Sequence, residues 1–500
     1  MPLVIPDISL SIAAPEVGLA ILICVVVVAD LFTSMENKAG MGILSLAGVA
    51  ILGLIVLSQW GGGVRTTFSG FYIADNFSSF VKMVVVVTTA FTILLSLQYA
   101  KMEKINYGEF YVMILFAVFG MLVMASGNDL ISIYLGLETM SISSYVLVSF
   151  IRHDPLSREA GLKYFLMGAF TSGILLYGIA LTYGLTGATS LTEIAKALSG
   201  LQGAAIIADP VMVFSLILFV AGFGFKLALV PFHMWLPDAY TGAPTSITAF
   251  MSVAVKMATL AAVIRVFFIA FPALAGKWNL LLWLLTVFTM VWGNVAAIAQ
   301  TNLKRMLAYS SIAHAGYIML GIVTTTKIVG GKVVFTPDGI SAVLFYLVAY
   351  MVTNLGAFGM LIYLCREDFR GDNIEDWRGI GHDHPWAGMA FVVFFLSLGG
   401  FPPTAGFVGK LFLFGTAIQN EYYWLAVIGI LASAVSIYYY FRVVMVMYME
   451  PRGESQPAIE FSKAPSIFVA LLVLVLATIY LGLFPGSIIA AAKSSVAGLL

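Results

Sequence analysis

Six ionisable side chains stand inside runs otherwise apolar enough to cross a membrane. Glu138 lies in LISIYLGLETMSISSY, Lys163 in GLKYFLMGAF and Lys226 in GFGFKLALVPFHMWLP. Lys256 lies in FMSVAVKMATLAAV, His314 in YSSIAHAGYIML and Lys410 in GFVGKLFLF. An ionised group at mid-bilayer costs ~2.5–3.5 kcal/mol on lenient insertion scales, so the five charges other than His314 would cost ~12–17 kcal/mol unpaired. A typical domain is stable by only ~5–15 kcal/mol, so these groups must be paired, hydrated or neutral. One carboxylate, four lysines and a histidine, with no metal-ligand cluster, form a pattern suited to proton exchange. Burial favours the neutral amine and a nearby carboxylate favours the ammonium, so a lysine held between the two can change protonation when its partner moves. A histidine titrating near neutrality can bridge two such sites. Tyr309, Ser310, Tyr346 and Tyr350 offer hydroxyls that can order connecting waters. A sodium or potassium site would need a cage of oxygens, and only one deep carboxylate is present.

Some charges have plainer explanations. Lys163 sits about five residues into its helix, within snorkelling reach of the interface. Lys82, near the start of the third helix, reads the same way, and Asp30 and Arg442 lie near helix ends as interfacial charges. Glu138 is nine residues into its segment and its arm is too short to reach an interface. Lys226, Lys256 and Lys410 are deep. A lone His314 would be a packing residue, but Ser310, Ser311 and Tyr317 surround it in sequence. His233, just past Pro231, reads as ordering or packing the helix break.

The elements that must hold these groups follow from composition. Of 500 residues, 61% are hydrophobic and 10% charged, against ~25% charged in soluble proteins, so lipid is the solvent for most of the chain. Net charge is zero, which implies no nucleic-acid partner. Cys24 and Cys365 are far apart and form no cluster or zinc motif, no dinucleotide or phosphate loop occurs, and no cofactor or metal is expected in this chain. No Lys or Arg precedes the first apolar run, so that run reads as a retained helix rather than a cleaved signal.

Apolar windows predict an all-α polytopic membrane protein of about fourteen helices: 14–33, 41–60, 76–99, 109–126, 129–151, 158–184, 210–236, 244–270, 278–299, 304–325, 339–364, 385–419, 421–449 and 464–484. Pro231 interrupts the seventh, and Pro402 and Pro403 interrupt the twelfth. Lys and Arg number twelve in odd loops and seven in even loops and the C-terminus, which puts both termini on the outer face.

The two interrupted helices are five apart, and each carries one central lysine. Five crossings reverse direction, so the expectation is two inverted five-helix repeats with two discontinuous helices, the pattern that marks transport sites. The predicted organisation is 1–100 (helices 1–3), 109–270 (repeat one), 278–449 (repeat two) and 464–500 (helix 14).

These stretches also carry a family resemblance. GFKLALVPFHMWLPDAYTGAPTSITAFMSVAVK (224–256), QTNLKRMLAYSSIAHAGYIMLG (300–321) and GGFPPTAGFVGKLFLF (399–414) resemble the proton-translocating antiporter-type subunits of respiratory complex I. PDAYxGAP resembles the N type more than the L and M types, lysine at 410 resembles the N and L types where the M type tends to carry Glu, and no long lateral helix follows helix 14 as in the L type. The resemblance covers helices 4 to 13. It implies that Glu138 pairs with Lys226, that Lys163 tunes the pair, and that Lys256 is the central carrier, linked by His314 to Lys410. It further implies a multi-pass bacterial cytoplasmic (inner) membrane subunit, partnered by other membrane subunits including further antiporter-like ones. NADH, FMN, iron–sulfur clusters and quinone would belong to other subunits. An Mrp-type cation/proton antiporter subunit, a membrane-bound hydrogenase subunit and a purely structural subunit are the alternatives.

Overall fold

The computed structural model describes residues 8–34, 38–329, 332–365, 371–451 and 464–499. The chain is a helical bundle. In order, the helices are α1 (Ala14–Leu31), α2 (Ala39–Gln59), α3 (Asn76–Met102), α4 (Gly108–Ala125), α5 (Leu130–Val148), α6 (Pro155–Thr186), α7 (Leu191–Ser199), α8 (Gly203–Ala208), α9 (Pro210–Lys226), α10 (Trp235–Gly242), α11 (Thr245–Phe250), α12 (Lys256–Arg265), α13 (Ala275–Ile298), α14 (Leu303–Val323), α15 (Pro337–Leu364), α16 (Ile380–Asp383), α17 (Pro385–Gly399), α18 (Ala405–Gln419), α19 (Tyr423–Met449), α20 (Pro465–Leu483) and α21 (Gly486–Val496). The π-helical segment Met251–Val255 joins α11 to α12, and a second, Val266–Ala270, extends α12, so that Thr245–Ala270 is one continuous span.

Length and apolarity count twelve spans among the described residues, against the fourteen expected. The two expected interrupted segments appear instead as shorter helices, α9 with α10 and α17 with α18. Helix starts follow the local chemistry. Asp75, Asp129, Asp154 and Asp209 each accept a backbone N–H at the first turn of α3, α5, α6 and α9. Proline stands at the start of α6, α9, α15, α17 and α20, where it loses no hydrogen bond.

Burial sorts the helices. Thr245–Ala270, α14 and α15 are each 94% buried, whereas α1, α2 and α20 are 33% buried and face outward. The central three carry Lys256, His314, Tyr346 and Tyr350, so the candidate residues lie in the middle of the bundle. Lipid gives helices no hydrophobic drive to associate, so close packing needs small residues. α4 and α5 meet through Gly120 and Gly136, where a Cβ on Gly120 would stand 2.4 Å from the Gly136 carbonyl. α13 and α14 meet in the same way: a Cβ on Gly293 would stand 2.6 Å from the Ala313 nitrogen, and one on Gly316 2.8 Å from that of Met290.

Three features depart from expectation. Two antiparallel hairpins are present, β1 (Arg65–Thr67) with β2 (Tyr72–Ala74), and β3 (Thr326–Val329) with β4 (Lys332–Phe335). The loop after α6 holds the short helices α7 and α8. Lys82 does not snorkel: it is fully buried and ion-paired with Glu16 at 2.7 Å, because α1 and β2 close over it. Asp30 pairs with Lys38 at 2.6 Å, and Arg442 donates to the carbonyls of Ile298 and Gln300. Of the loop charges used for orientation, Arg366, Arg370, Arg452 and Lys463 lie outside the described residues.

Candidate functional site

α9 stops at Lys226, eight residues short of where α10 resumes after Met234. The backbone turns out of the helix at Ala228, which takes a left-handed φ of 56°. The groups freed by the break find partners in the bundle, as backbone polar groups inside a membrane must. Val230 N–H donates to Thr289 Oγ1 of α13 at 2.9 Å, and Trp235 Nε1 donates to the Phe225 carbonyl at 2.8 Å. His233 lies beside Trp292, with ring centroids 6.3 Å apart.

Lys226 is buried, and its ammonium donates to Ser141 Oγ at 2.7 Å and Tyr145 OH at 3.0 Å. Both acceptors are on α5, at three and seven residues beyond Glu138, so all three share one helix face. Lys226 is hydrogen-bonded to those two hydroxyls and not to Glu138, whose Oε1 is buried without a hydrogen-bond partner. The pair expected from sequence is therefore open: the lysine rests on hydroxyls one to two turns past the carboxylate.

Lys256, the first residue of α12, donates to both the carbonyl and the hydroxyl of Ser311 on α14, the latter at 2.5 Å. Tyr350 of α15 donates to the same hydroxyl at 2.9 Å, and its ring lies 5.5 Å from the Lys256 ammonium. Between the first break and Lys256 is a void lined by Leu227, Leu260, Ala315, Ile318 and Met319, too narrow to admit a water molecule. Among the described residues no hydrogen bond links the Lys226 group to the Lys256 group.

His314 follows Ser311 by one turn on α14. Its Nδ1 bonds Tyr346 OH at 2.5 Å, and its Nε2 bonds Tyr440 OH at 3.2 Å. Tyr440 in turn bonds Ser310 Oγ at 2.5 Å. The His314 ring stands edge-on to Tyr317 at 5.6 Å, and the face of Tyr317 lies 5.1 Å from the Lys410 ammonium. Tyr317 OH accepts from Asn294, whose Oδ1 accepts from Tyr439.

Lys410 sits on α18, past the second break, and reaches back to the end of α17. It donates to the carbonyls of Leu398 at 2.8 Å and Gly399 at 3.1 Å, and to Ser433 Oγ at 2.8 Å. Those carbonyls are unpaired helix-end groups, which favour a cation. Gly400 follows in the left-handed region at φ 86°, and a Cβ there would stand 2.9 Å from Lys410 Cδ. Pro402 and Pro403 complete this break as Pro231 does the first.

Lys163 lies apart. Its side chain is 47% exposed and pairs with Glu159 at 2.7 Å and Asp238 at 3.0 Å, and Asp238 also holds Arg305 at 2.7 Å. The structure thus brings Lys256, His314 and Lys410 into one polar interior, sets Lys226 and Glu138 beside it across a dry gap, and leaves Lys163 in a surface ion network.

Over residues 127–436 the sequence matches the family described as NADH:quinone oxidoreductase/Mrp antiporter, TM. The chain belongs to that family. It is 42% identical over 489 residues to the NADH-quinone oxidoreductase subunit N of Trichlorobacter lovleyi, covering 98% of this chain and 97% of that one. That likeness is spread over many subunit N sequences and assigns the chain to the subunit N branch. A chain of respiratory complex I from Thermus thermophilus with bound aureothin superposes with a TM-score of 0.78 at 32% identity, covering 96% of this chain and all of that one. A chain of the Mrp complex from Dietzia sp. DQ12-45-1b superposes with the same TM-score at 20% identity, covering 98% of each chain, and shares the fold.

In this subunit N relative, sequence reading missed the hydroxyls that hold the lysines. Ser141 and Tyr145 were legible only as helical neighbours of Glu138, and Ser433 and Tyr440 carried no signal because α19 reaches the site through tertiary packing. Among the described residues no three His, Cys, Asp or Glu side chains gather as a metal site.

Proposed function

We propose that this chain is a proton-translocating membrane subunit of a NADH–quinone oxidoreductase, driven by quinone reduction in other subunits of the complex. The observation that carries the reading is the row of buried Lys226, Lys256 and Lys410, joined in its second part by His314, with hydroxyls and helix-end carbonyls as partners in place of carboxylates. Such partners solvate an ammonium yet tolerate an amine, so each lysine can change protonation without stranding a buried counter-charge.

Glu138 acts as the switch. While Lys226 rests on Ser141 and Tyr145, its charge is unpaired; when it moves back along α5 to Glu138, the pair neutralises. Unit charges ~8 Å apart at an effective dielectric of ~20 interact by ~2 kcal/mol, enough to bias the next lysine. The dry void lined by Leu227 and Lys256 blocks the proton until that bias and the packing change. Lys256 then passes its proton by Ser311 and His314 towards Lys410.

The glycine-seamed pairs α4–α5 and α13–α14 support two inverted repeats over 109–270 and 278–449, flanked by helices 1–3 and helix 14. Both termini lie on the outer face of a bacterial inner membrane. Lys163 acts as a modulator from the surface network with Asp238. Partners are other membrane subunits, including further antiporter-like ones, and the redox groups stay in the remaining subunits.

The test is proton translocation by the assembled complex carrying Lys226→Ala or Glu138→Gln. Loss of translocation with normal assembly is expected; undiminished translocation overturns the reading. The likeness in fold to the Mrp chain supports a second reading, a cation/proton antiporter subunit. Sodium- or potassium-dependent proton flux by the purified chain alone would favour it.

A further inference from the structure

His314 and Lys410 meet through a side chain to which the proton route gives no part. Tyr346 and Tyr440 occupy the two ring nitrogens of His314, at 2.5 and 3.2 Å. An ammonium has three N–H groups, and three acceptors meet that of Lys410: the carbonyls of Leu398 and Gly399, and Ser433 Oγ. In this arrangement neither residue has a polar hydrogen-bonding position left for the other. What both approach is the ring of Tyr317. The His314 ring stands edge-on to it at 5.6 Å, and the Lys410 ammonium lies over it, 5.1 Å from its centroid.

Spacing and packing fix that ring. His314 and Tyr317 are one turn apart on α14, and Lys410 and Phe414 are one turn apart on α18, so each pair shares a helix face. Phe414 meets the Tyr317 ring edge to face at 6.2 Å, so α18 brings it a cation and a second ring together. Asn294 of α13 holds the phenol end. Its Nδ2 donates to Tyr317 OH at 3.0 Å and to the Met290 carbonyl at 2.7 Å, and its Oδ1 accepts from Tyr439 at 3.0 Å. A carbonyl can only accept, so Met290 fixes which way round the amide stands. Asn294 and Tyr317 are both fully buried. Their sequence neighbours, Gly293 and Gly316, are the residues through which α13 and α14 approach.

We propose that Tyr317, clamped by Asn294, is a positioning residue that seats the Lys410 ammonium at the second break through the face of its ring. An aromatic face attracts an ammonium within ~6 Å of its centroid through the ring quadrupole, an attraction a neutral amine lacks. The seat holds Lys410 against the end of α17 while the lysine is charged, and its hold lapses when the charge is gone. The ring carries no proton; it sets where the charge stands relative to His314. The inference rests on the reading of the chain as a proton carrier and adds two residues to it.

A ring that only fills space is distinguished by changing its electrons and keeping its shape. Tyr317→Phe keeps the face and removes the bond to Asn294. A ring-trifluorinated phenylalanine at the same position withdraws the electrons that attract the cation. Proton translocation is measured in phospholipid vesicles holding the complex, with NADH oxidation and subunit content alongside. The seat predicts translocation slowed roughly fivefold by fluorination, relative to Tyr317→Phe at equal subunit content. Equal rates overturn it. Thermal unfolding of the purified complex gives a check independent of transport: fluorination should lower the midpoint with Lys410 present and leave it unchanged in Lys410→Met. An equal effect in both overturns the seat. Asn294→Leu tests the clamp, and should slow translocation more with Tyr317 than in Tyr317→Phe, where the bond is already gone; equal slowing overturns the clamp. If Lys410→Met stops translocation while fluorination does not change it, only the seat fails. If translocation survives Lys410→Met, the proton-carrier reading of that lysine fails, and the midpoint comparison still decides the seat.

Discussion

Lys226 donates to the hydroxyl of Tyr145, two turns along α5 from Glu138, at 3.0 Å. The lysine and the carboxylate that the sequence pairs are thus separated by a competing partner on the same helix face. Removing that competitor, by Tyr145→Phe, is expected to shift Lys226 towards Glu138. A hydrogen bond to a charged group contributes ~1.5–3 kcal/mol, enough to reverse a poised equilibrium. A double-mutant cycle with Glu138→Gln, read in translocation rate, is expected to show stronger coupling in the Tyr145→Phe background. Equal coupling in both backgrounds would show that the hydroxyl does not hold the pair apart.

The second break depends on Gly400. Its φ of 86° and the 2.9 Å approach of a Cβ to Lys410 Cδ make Gly400→Ala costly in two ways. A left-handed non-glycine residue costs ~1–2 kcal/mol, before the displaced lysine is counted. Lower thermal stability of the purified complex and slower translocation are expected together. Ser433→Ala, which removes one of three partners of Lys410, is expected to slow translocation with a smaller loss of stability.

The first break stores strain at Ala228, held at φ 56°. Ala228→Gly is expected to stabilise the protein by ~1 kcal/mol or slightly more, since glycine adopts that backbone freely. Thermal unfolding in detergent measures it, and a lower midpoint would show that the residue is not strained.

The dry void beside Lys256 gives a prediction about leak. Leu260→Ala is expected to open room for water and to cost ~2–5 kcal/mol, as for a packed core leucine. Passive proton permeability of vesicles holding the complex, with no substrate present, should rise. Unchanged permeability would place the barrier elsewhere.

Asp238 supplies a pH dependence outside the membrane spans. Burial raises its carboxyl, but Arg305 and Lys163 outweigh burial and hold it below its ordinary range. A depressed carboxyl contributes stability that is present above its unfolded value, ~3.9, and is lost as pH falls through the folded value. Asp238→Asn should therefore be less stable than the parent at neutral pH and equal to it in strong acid. Melting curves across pH 2–7 would check this. Because the network is partly exposed, high salt should shrink the difference.

Much of this was legible in the sequence. Apolar windows located the spans because lipid demands ~20 apolar residues for each crossing. Pro231, Pro402 and Pro403 marked both breaks because proline removes a helical donor wherever it stands. What stayed hidden depended on contacts between distant segments. Lys82 looked like a snorkeller because nothing near it in sequence announces Glu16, 66 positions earlier. Lys163 read as a snorkeller or, by resemblance, as a tuner of the Glu138–Lys226 pair, and nothing near it in sequence announces its bond to Asp238, 75 positions on. The β3–β4 hairpin was signalled by β-branched residues around Gly330-Gly331, and the long apolar helices on either side overshadowed it.

Lys410 closes the carboxyl end of α17 with two hydrogen bonds. A neutral amine would bind those carbonyls more weakly, and a lysine swung away would leave them bare in a membrane. Protonation at this residue is thus tied to how far the helix before the break is wound. A change in charge there has a mechanical consequence, and a push on that helix from a neighbouring subunit has an electrostatic one.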